Sequence, residues 1–236
     1  MAIILAAGPG KRMGADKPKV LMALDGKPLV IWVLEAVCAA GIGRAVVVIG
    51  HQGELVQQAL EDFDVEFVWQ TPLLGTGHAV LQTEPLFKSH KGPLAILLGD
   101  VPRIRPETIR RLISTHCELN ASATVLTAII DDPAGYGRVV RRADGTLDRI
   151  VEARDADSNI KAIKEINTGT MCFYAPDLFS ALPAMTNDNA QREYYLTDVI
   201  GALQQSGLSV TGYRSDDLRD ALGANSQAQL EQLKRL

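Results

Sequence analysis

The sequence predicts an α/β fold built on a mainly parallel sheet with helices on both faces, and three observations carry that prediction. Strand-length runs at Ile3-Ile4-Leu5, Ala45 to Ile49 and Leu94 to Leu98 are apolar at every position rather than at alternate ones. A strand of that kind has both faces buried, as in parallel sheets. Helical segments separate the runs, so each strand can return parallel to the last through a crossover. The first run also passes straight into a loop rich in glycine and cations, and in such sheets ligands bind beyond the carboxyl ends of the strands.

Taken in order, Pro28 to Ala40 carries apolar residues at Leu29, Val33, Leu34 and Val37, with Pro28 near its start and Gly41 at its end, the punctuation of an amphipathic helix. Gln52 to Leu60 reads as a helix and Val65 to Trp69 as a strand; the turn-forming stretch Gln70 to Ala79 leads into a helix through Leu81. After the strand Leu94 to Leu98 come Ala123 to Ile129, then Gly137 to Arg141 and Leu147 to Val151 flanking Ala143-Asp144-Gly145 as a hairpin, and Thr170 to Tyr174. Pro176 to Leu182 and Tyr195 to Gln205 read as helices, Leu208 to Tyr213 as a late strand and Gln227 to Leu236 as a final helix. The expected organisation is one domain over 1–236, with a ligand-binding half at 1–120 and a mixed-sheet half at 121–236 packed across one cleft.

Composition narrows the function classes. With 47% hydrophobic and 22% charged residues among 236, the chain can build a full core. Its net charge of -4 argues against a general nucleic-acid binder, so the basic loop is a local anion site on an acidic protein. Cys38, Cys117 and Cys172 are far apart and lack CxxC spacing, which points to a reducing compartment without structural zinc. No apolar run reaches the ~18 residues of a membrane span, and the N-terminus enters a core strand without a signal peptide. A cytoplasmic protein with no membrane partner is expected.

The loop after the first strand holds Gly8, Gly10 and Gly14 with Lys11, Arg12, Lys17 and Lys19 interleaved. Glycines let backbone N–H groups approach an anion closely, and the cations favour a phosphate ligand. The spacing matches neither GxxxxGK[ST] nor GxGxxG. Asp100 follows a wholly apolar strand, where a carboxylate can emerge into the cleft and hold a cation, or alternatively cap the next turn. Asn225, beside Gly223 and Ser226, has the bland reading of a helix cap. His78 reads as a structural histidine, since the four histidines show no metal-ligand spacing.

At the level of whole words the chain resembles the sugar nucleotidyltransferases. LAAGPGKRM with Pro18-Lys19 is their opening signature. The words Gln70 with Gly75-Thr76-Gly77-His78-Ala79, Gly99-Asp100-Val101-Pro102, Gly135-Tyr136-Gly137-Arg138, Glu165 to Gly169 and Asn189 to Asp198 narrow the likeness further. Together they resemble the uridylyltransferase domain of the bacterial bifunctional N-acetylglucosamine-1-phosphate uridyltransferase/glucosamine-1-phosphate acetyltransferase family. That resemblance implies a Rossmann-like mixed, mainly parallel sheet of the nucleotide-diphospho-sugar transferase type. It implies UTP and N-acetylglucosamine 1-phosphate as substrates, Mg²⁺ as cofactor, and UDP-N-acetylglucosamine, a cell-wall and lipopolysaccharide precursor, as product. It assigns Arg12, Lys19 and Asp100 to catalysis, and Leu5, Ala6, Ala7, Gly8, Lys19, Gln70, Gly75 and Thr76 to the nucleotide. Gly137, Glu152, Asn167 and Tyr195 fall to the sugar, and Asp100 with Asn225 to the metal.

The chain departs from that pattern at Lys11 and Pro9 in the loop, and at Leu98, where many relatives carry tyrosine. Through Leu236 it shows no hexapeptide repeats, so an acetyltransferase β-helix is not expected. Three alternatives stay open on residues alone: a nucleotidyltransferase using another nucleotide or acceptor, a non-catalytic nucleotide-binding module, and a structural protein.

Overall fold

A computed structural model of the chain describes residues 1–10 and 17–235. The first strand, β1 (Ala2–Leu5), is followed by the short hairpin β2 (Ala23–Leu24) and β3 (Lys27–Pro28), then α1 (Leu29–Ala39), β4 (Ala45–Ile49), α2 (Gly53–Ala59) and β5 (Glu66–Trp69). Next come α3 (Thr76–Leu81), α4 (Glu84–Phe87), β6 (Pro93–Leu98), α5 (Pro106–Glu118) and β7 (Ala123–Ile129). The hairpin β8 (Arg138–Arg141) and β9 (Leu147–Val151), α6 (Ser158–Lys161), β10 (Glu165–Tyr174), α7 (Ala175–Ala181), α8 (Asp198–Gln205), β11 (Val210–Arg214) and α9 (Gln227–Leu233) complete the chain.

The main sheet has the order β11-β7-β10-β6-β1-β4-β5, with the β8-β9 hairpin attached to β10. Pairings among β5, β4, β1 and β6 are parallel, as is β11 with β7, whereas β10 runs antiparallel to both β6 and β7. The sheet is therefore mixed and mainly parallel. Alternation along each central strand divides the core in two. Ile3, Val46 and Ile96 pack on one face with Val80, Leu178, Val199 and Leu203 of α3, α7 and α8. Ile4, Val47 and Leu97 pack on the other with Val33 and Val37 of α1, Val56 of α2 and Ile109 and Leu112 of α5. Both Ile3 and Ile4 are fully buried, each contributing about 1.5–3 kcal/mol relative to exposure. This double burial is why the strands lack polar alternation.

Some elements differ from the sequence reading. Helix α5 goes unassigned there although Pro106 at its first turn and the apolar pair Ile109 and Leu112 signal it. Asn167-Thr168-Gly169, outside the expected strand Thr170 to Tyr174, lies inside β10, which starts at Glu165. Pairing with β7 passes from Asn167↔Thr127 to Met171↔Val125, so four residues advance against two, and the surplus forms a bulge. Thr168 Oγ1 donates to Leu126 O at 3.0 Å and holds the bulge on the sheet. Helix α8 begins at Asp198 rather than Tyr195, because Leu196 is drawn onto Thr76, Tyr195 onto Asp155 and Thr197 onto Glu152.

The register sets the site. Leu5 is level with both Val48 and Leu98, and Ile49 with Trp69. The residues that leave the carboxyl ends, Gln70, Gly50, Ala6 to Gly8 and Gly99-Asp100, thus stand in one row along the sheet edge. Gln70 N donates to Ile49 O at 2.8 Å, Ala6 N to Val48 O at 2.8 Å and Gly99 N to Leu5 O at 2.9 Å, so the ladder continues into the row.

Asp220 fastens the late chain to this frame. Its fully buried carboxylate accepts from Arg105 N at 3.0 Å, Arg105 Nη2 at 2.7 Å, Thr108 Oγ1 at 2.8 Å and Ser215 Oγ at 2.6 Å. Asp220→Ala strands these donors while Arg105 keeps Asp217 at 3.2 Å, so a loss of about 3 kcal/mol in folding stability is expected. Urea denaturation measures it; a midpoint equal to that of the parent would contradict the role.

Candidate active site

The row along the sheet edge begins at Gln70. Gln70 is only 4% exposed, and its Nε2 donates to Gly75 O at 2.9 Å. Gly75 opens α3 with φ of +106°, and a Cβ there would lie 2.6 Å from Tyr194 O, so this position requires glycine on both counts. Ala7 sits beside Gly50, whose Cα faces the Leu73 side chain. Gly8 has open space around its Cα. Leu5 and Ala6 are buried where β1 ends. Thr76 spends its hydroxyl on Leu196 N at 3.0 Å.

At the centre of the row lies the cation cluster. Lys19 Nζ donates to Asp100 Oδ2 in a short ion pair and to Asn225 Oδ1 at 2.8 Å. Residues 81 and 206 positions apart in sequence thus meet at one ammonium. Gly10, with φ of +62°, allows the loop to press on Lys19; a Cβ there would stand 2.6 Å from Lys19 Cβ. Ala224 N donates to Asp100 O at 2.9 Å, which brings Asn225 to the carboxylate, while Tyr136 OH accepts from Gly223 N at 3.3 Å. Arg12 lies outside the described residues. Among the described residues, no group of three or more His, Cys, Asp or Glu could hold a metal. One carboxylate and one amide oxygen do converge on a positive charge, the donor chemistry of a hard cation.

The second half supplies the facing wall. Asn167 N donates to Gly137 O at 2.9 Å, and a Cβ on Gly137 would approach Glu152 Oε1 at 3.4 Å. Thr197 Oγ1 donates to Glu152 Oε1 at 3.0 Å. Gly137, Glu152 and Asn167 therefore share one site, with Thr197 added. Burial pushes the Glu152 carboxyl up from its usual range; Thr197 opposes the shift, and Asp198, Asp155 and Glu193 add to it. Tyr195 is buried, and its hydroxyl is already engaged: it accepts from Gln191 Nε2 at 2.9 Å and donates to Asp155 Oδ2 at 3.3 Å. Its phenol is pushed up to about 12, chiefly by desolvation.

The two walls are tied directly. Gly77 N donates to Tyr194 O at 2.8 Å and Tyr194 N to Leu74 O at 2.8 Å. The GTGHA and EYYLTD words thus form one joint. Sequence reasoning did not single out Thr197; its only signal was membership of the second word.

A doubly covered, mainly parallel sheet with Lys19, Asp100 and Asn225 meeting at its carboxyl edge is the architecture of a nucleotidyltransferase. Residues 2–204 match the family of the MobA-like NTP transferase domain, and the chain belongs to that family. More particularly, it is 46% identical over 229 residues to the bifunctional protein GlmU of Heliobacterium modesticaldum, covering 97% of this chain and 50% of that protein. It is 46% identical over 231 residues to the GlmU of Shouchella clausii, 98% of this chain and 51% of that one. Against the Acetivibrio thermocellus GlmU it is 44% identical over 236 residues, 100% and 51% respectively. The chain spans about half the length of the curated relatives it matches. A solved UDP-glucose pyrophosphorylase complexed with UDP-glucose shares the fold, with a TM-score of 0.79 at 19% identity over 99% of this chain and 96% of that one. Among the described residues no helix is long and apolar enough to cross a membrane.

The raised Glu152 carboxyl carries a stability consequence. The folded state binds its proton more tightly than the unfolded state, so ionisation costs stability as pH rises from about 4.5, the unfolded value, through the raised value. Glu152→Gln removes that cost and retains an acceptor for Thr197. Its melting temperature should exceed the parent's at pH 8, with the gap closing towards pH 4; a lower melting temperature at pH 8 would refute the assignment.

Proposed function

We propose that this chain transfers a uridylyl group from UTP to N-acetylglucosamine 1-phosphate, giving UDP-N-acetylglucosamine and releasing pyrophosphate. The convergence of Asp100 and Asn225 on the Lys19 ammonium carries the reading, because two oxygens of the kind that hold a hard cation meet a positive charge at the carboxyl edge of the sheet. Likeness to the GlmU proteins over nearly the whole chain supports it.

In this reading a phosphate oxygen of the sugar phosphate attacks the α-phosphorus of UTP in line, and pyrophosphate leaves. The nucleophile is already anionic, so alignment and charge neutralisation do the catalytic work and no general base is required. Lys19 serves as a compact point charge for the triphosphate, and Arg12 can meet phosphate oxygens with its planar fork. Asp100 and Asn225 would hold Mg²⁺, which when bound neutralises phosphate charge as a Lewis acid. Gln70, Ala7, Gly8, Gly75 and Thr76 bind the nucleotide, Gln70 meeting the uracil edge. Glu152 accepts from sugar hydroxyls, and Asn167, whose Oδ1 accepts from Gly169 N at 3.0 Å, offers its amide N–H₂ to the acetamido group. Tyr195 supports this wall through Asp155. The chain acts as one catalytic unit, its halves 1–120 and 121–236 contributing nucleotide and sugar walls.

Pyrophosphate release measured over a panel of sugar phosphates and the four nucleoside triphosphates tests the proposal. Release should require UTP and N-acetylglucosamine 1-phosphate together, with UTP preferred over CTP by roughly tenfold or more in kcat/KM. Folded protein that releases none in the presence of Mg²⁺ would defeat the reading, and preference for a different pair would reassign it.

Two variants separate the roles. Asp100→Asn keeps shape and loses charge, so turnover at saturating substrates should fall by about 10² or more. Glu152→Gln should instead raise KM for the sugar phosphate by about tenfold, through loss of a charged acceptor. An Asp100→Asn enzyme of parental kcat would reduce that carboxylate to a turn cap.

A further inference from the structure

We propose that His78 is a positioning residue for uracil selectivity: its Nδ1 takes the second amide hydrogen of Gln70 and leaves Gln70 Oε1 as the group that faces the base. The inference rests on the uridylyl-transfer reading and goes beyond it, because that reading leaves the orientation of the Gln70 amide undetermined.

The hydrogen positions follow from the partners. Gln70 Nε2 lies 2.9 Å from Gly75 O and 3.1 Å from His78 Nδ1. A backbone carbonyl can only accept, so the atom beside it must be the amide nitrogen. One N–H goes to Gly75 O, and the other meets His78 Nδ1, which must then be the unprotonated nitrogen. Burial holds the His78 pKa below its ordinary value, so the ring is neutral near pH 7 and has one such acceptor. Its proton is therefore on Nε2.

On the far side Gln82 Nε2 lies 3.2 Å from His78 Nε2 and 3.2 Å from His78 O. Two amide N–H₂ groups cannot both donate to a neutral imidazole. By the same rule His78 O holds the Gln82 amide nitrogen; that half-buried side chain can turn its other N–H to water, whereas Gln70, 4% exposed, has only His78 Nδ1 for its second hydrogen. The orientation thus passes from the Gly75 carbonyl through Gln70 to the imidazole.

The consequence is chemical. With both hydrogens engaged, Gln70 presents only Oε1, which has no hydrogen-bond partner among the described residues. An acceptor suits the N3–H of uracil and opposes the unprotonated N3 of cytosine. Without the imidazole, one Gln70 N–H in a nearly buried site loses its partner, and the amide gains reason to turn its nitrogen towards the base.

The test uses the full chain and its His78→Leu and His78→Gln variants, the latter restoring a side-chain acceptor. In His78→Leu the UTP:CTP ratio of kcat/KM should fall by about fivefold or more, with the change in KM for UTP rather than in kcat. His78→Gln should recover most of the ratio. Calorimetric binding of UTP and CTP without sugar phosphate should show the same loss and recovery. In the parent protein, ¹⁵N correlation spectra of the ring should show the Nε2–H tautomer, assigned by its disappearance in either variant. A folded His78→Leu protein with the parental ratio overturns the proposal, as does a protonated Nδ1 in the parent. Were the parent to release no pyrophosphate while still binding UTP over CTP, the uridylyl-transfer reading would fail alone, and the binding ratios with the ring tautomer would still decide the role of His78.

Discussion

The common level of four parallel strands is the constraint on which the rest of this molecule depends. Because Leu5 is in register with Val48 and Leu98, and Ile49 with Trp69, the chain leaves the sheet four times along one edge. Backbone bonds carry that order beyond the strands to Gln70, Ala6 and Gly99. The positions are rigid because the strands behind them are buried on both faces, where a shift of one residue would exchange the two sets of core side chains. Gln70 and Asp100 are therefore held apart by the sheet itself.

The antiparallel strand β10 extends this edge. It pairs with β6 and brings its bulge there, where a Cβ on Gly169 would meet the Leu98 side chain. The β8-β9 hairpin, paired to β10 at Ile166↔Arg138, places Gly137 and Glu152 beside it. Two late segments then close the arrangement. Tyr194 to Thr197 bind the Gly75 to Gly77 turn on one side and Glu152 on the other. The Asp220 network and the Ala224–Asp100 bond bring Asn225 to the centre. The two halves of the chain are thereby coupled through short hydrogen-bonded joints.

The electrostatics follow the same division. At the centre, positive and negative charges compensate each other through Lys19 and Asp100. Beside Gly137, half-buried Glu152 lies near Asp198, Asp155 and Glu193, and its ionised form is disfavoured. A carboxylate kept in such surroundings is costly to the empty fold and well suited to accepting hydroxyl groups, a conflict common where function rather than stability sets the residue.

The sequence by itself determined the element types and the doubly buried sheet, since periodicity and apolar runs report local burial; β4, β7 and β9 have the bounds that pattern predicts. It also marked Asp100, Gln70 and the glycines as candidates, through their place after strands and in recognisable words. Only the tertiary structure decided their partners. Lys19, Asp100 and Asn225 are far apart along the chain, and no local pattern records that they meet. The late start of the helix expected over Tyr195 to Gln205, the bulge inside β10 and the engagement of Tyr195 with Asp155 have the same origin: contacts between distant segments outweigh the few tenths of a kcal/mol per residue that separate local preferences. His78 illustrates the limit most clearly. Its neighbours in sequence make it an ordinary helix-start residue, whereas its place between the Gln70 and Gln82 amides depends on how the turn after β5 folds back over the sheet edge.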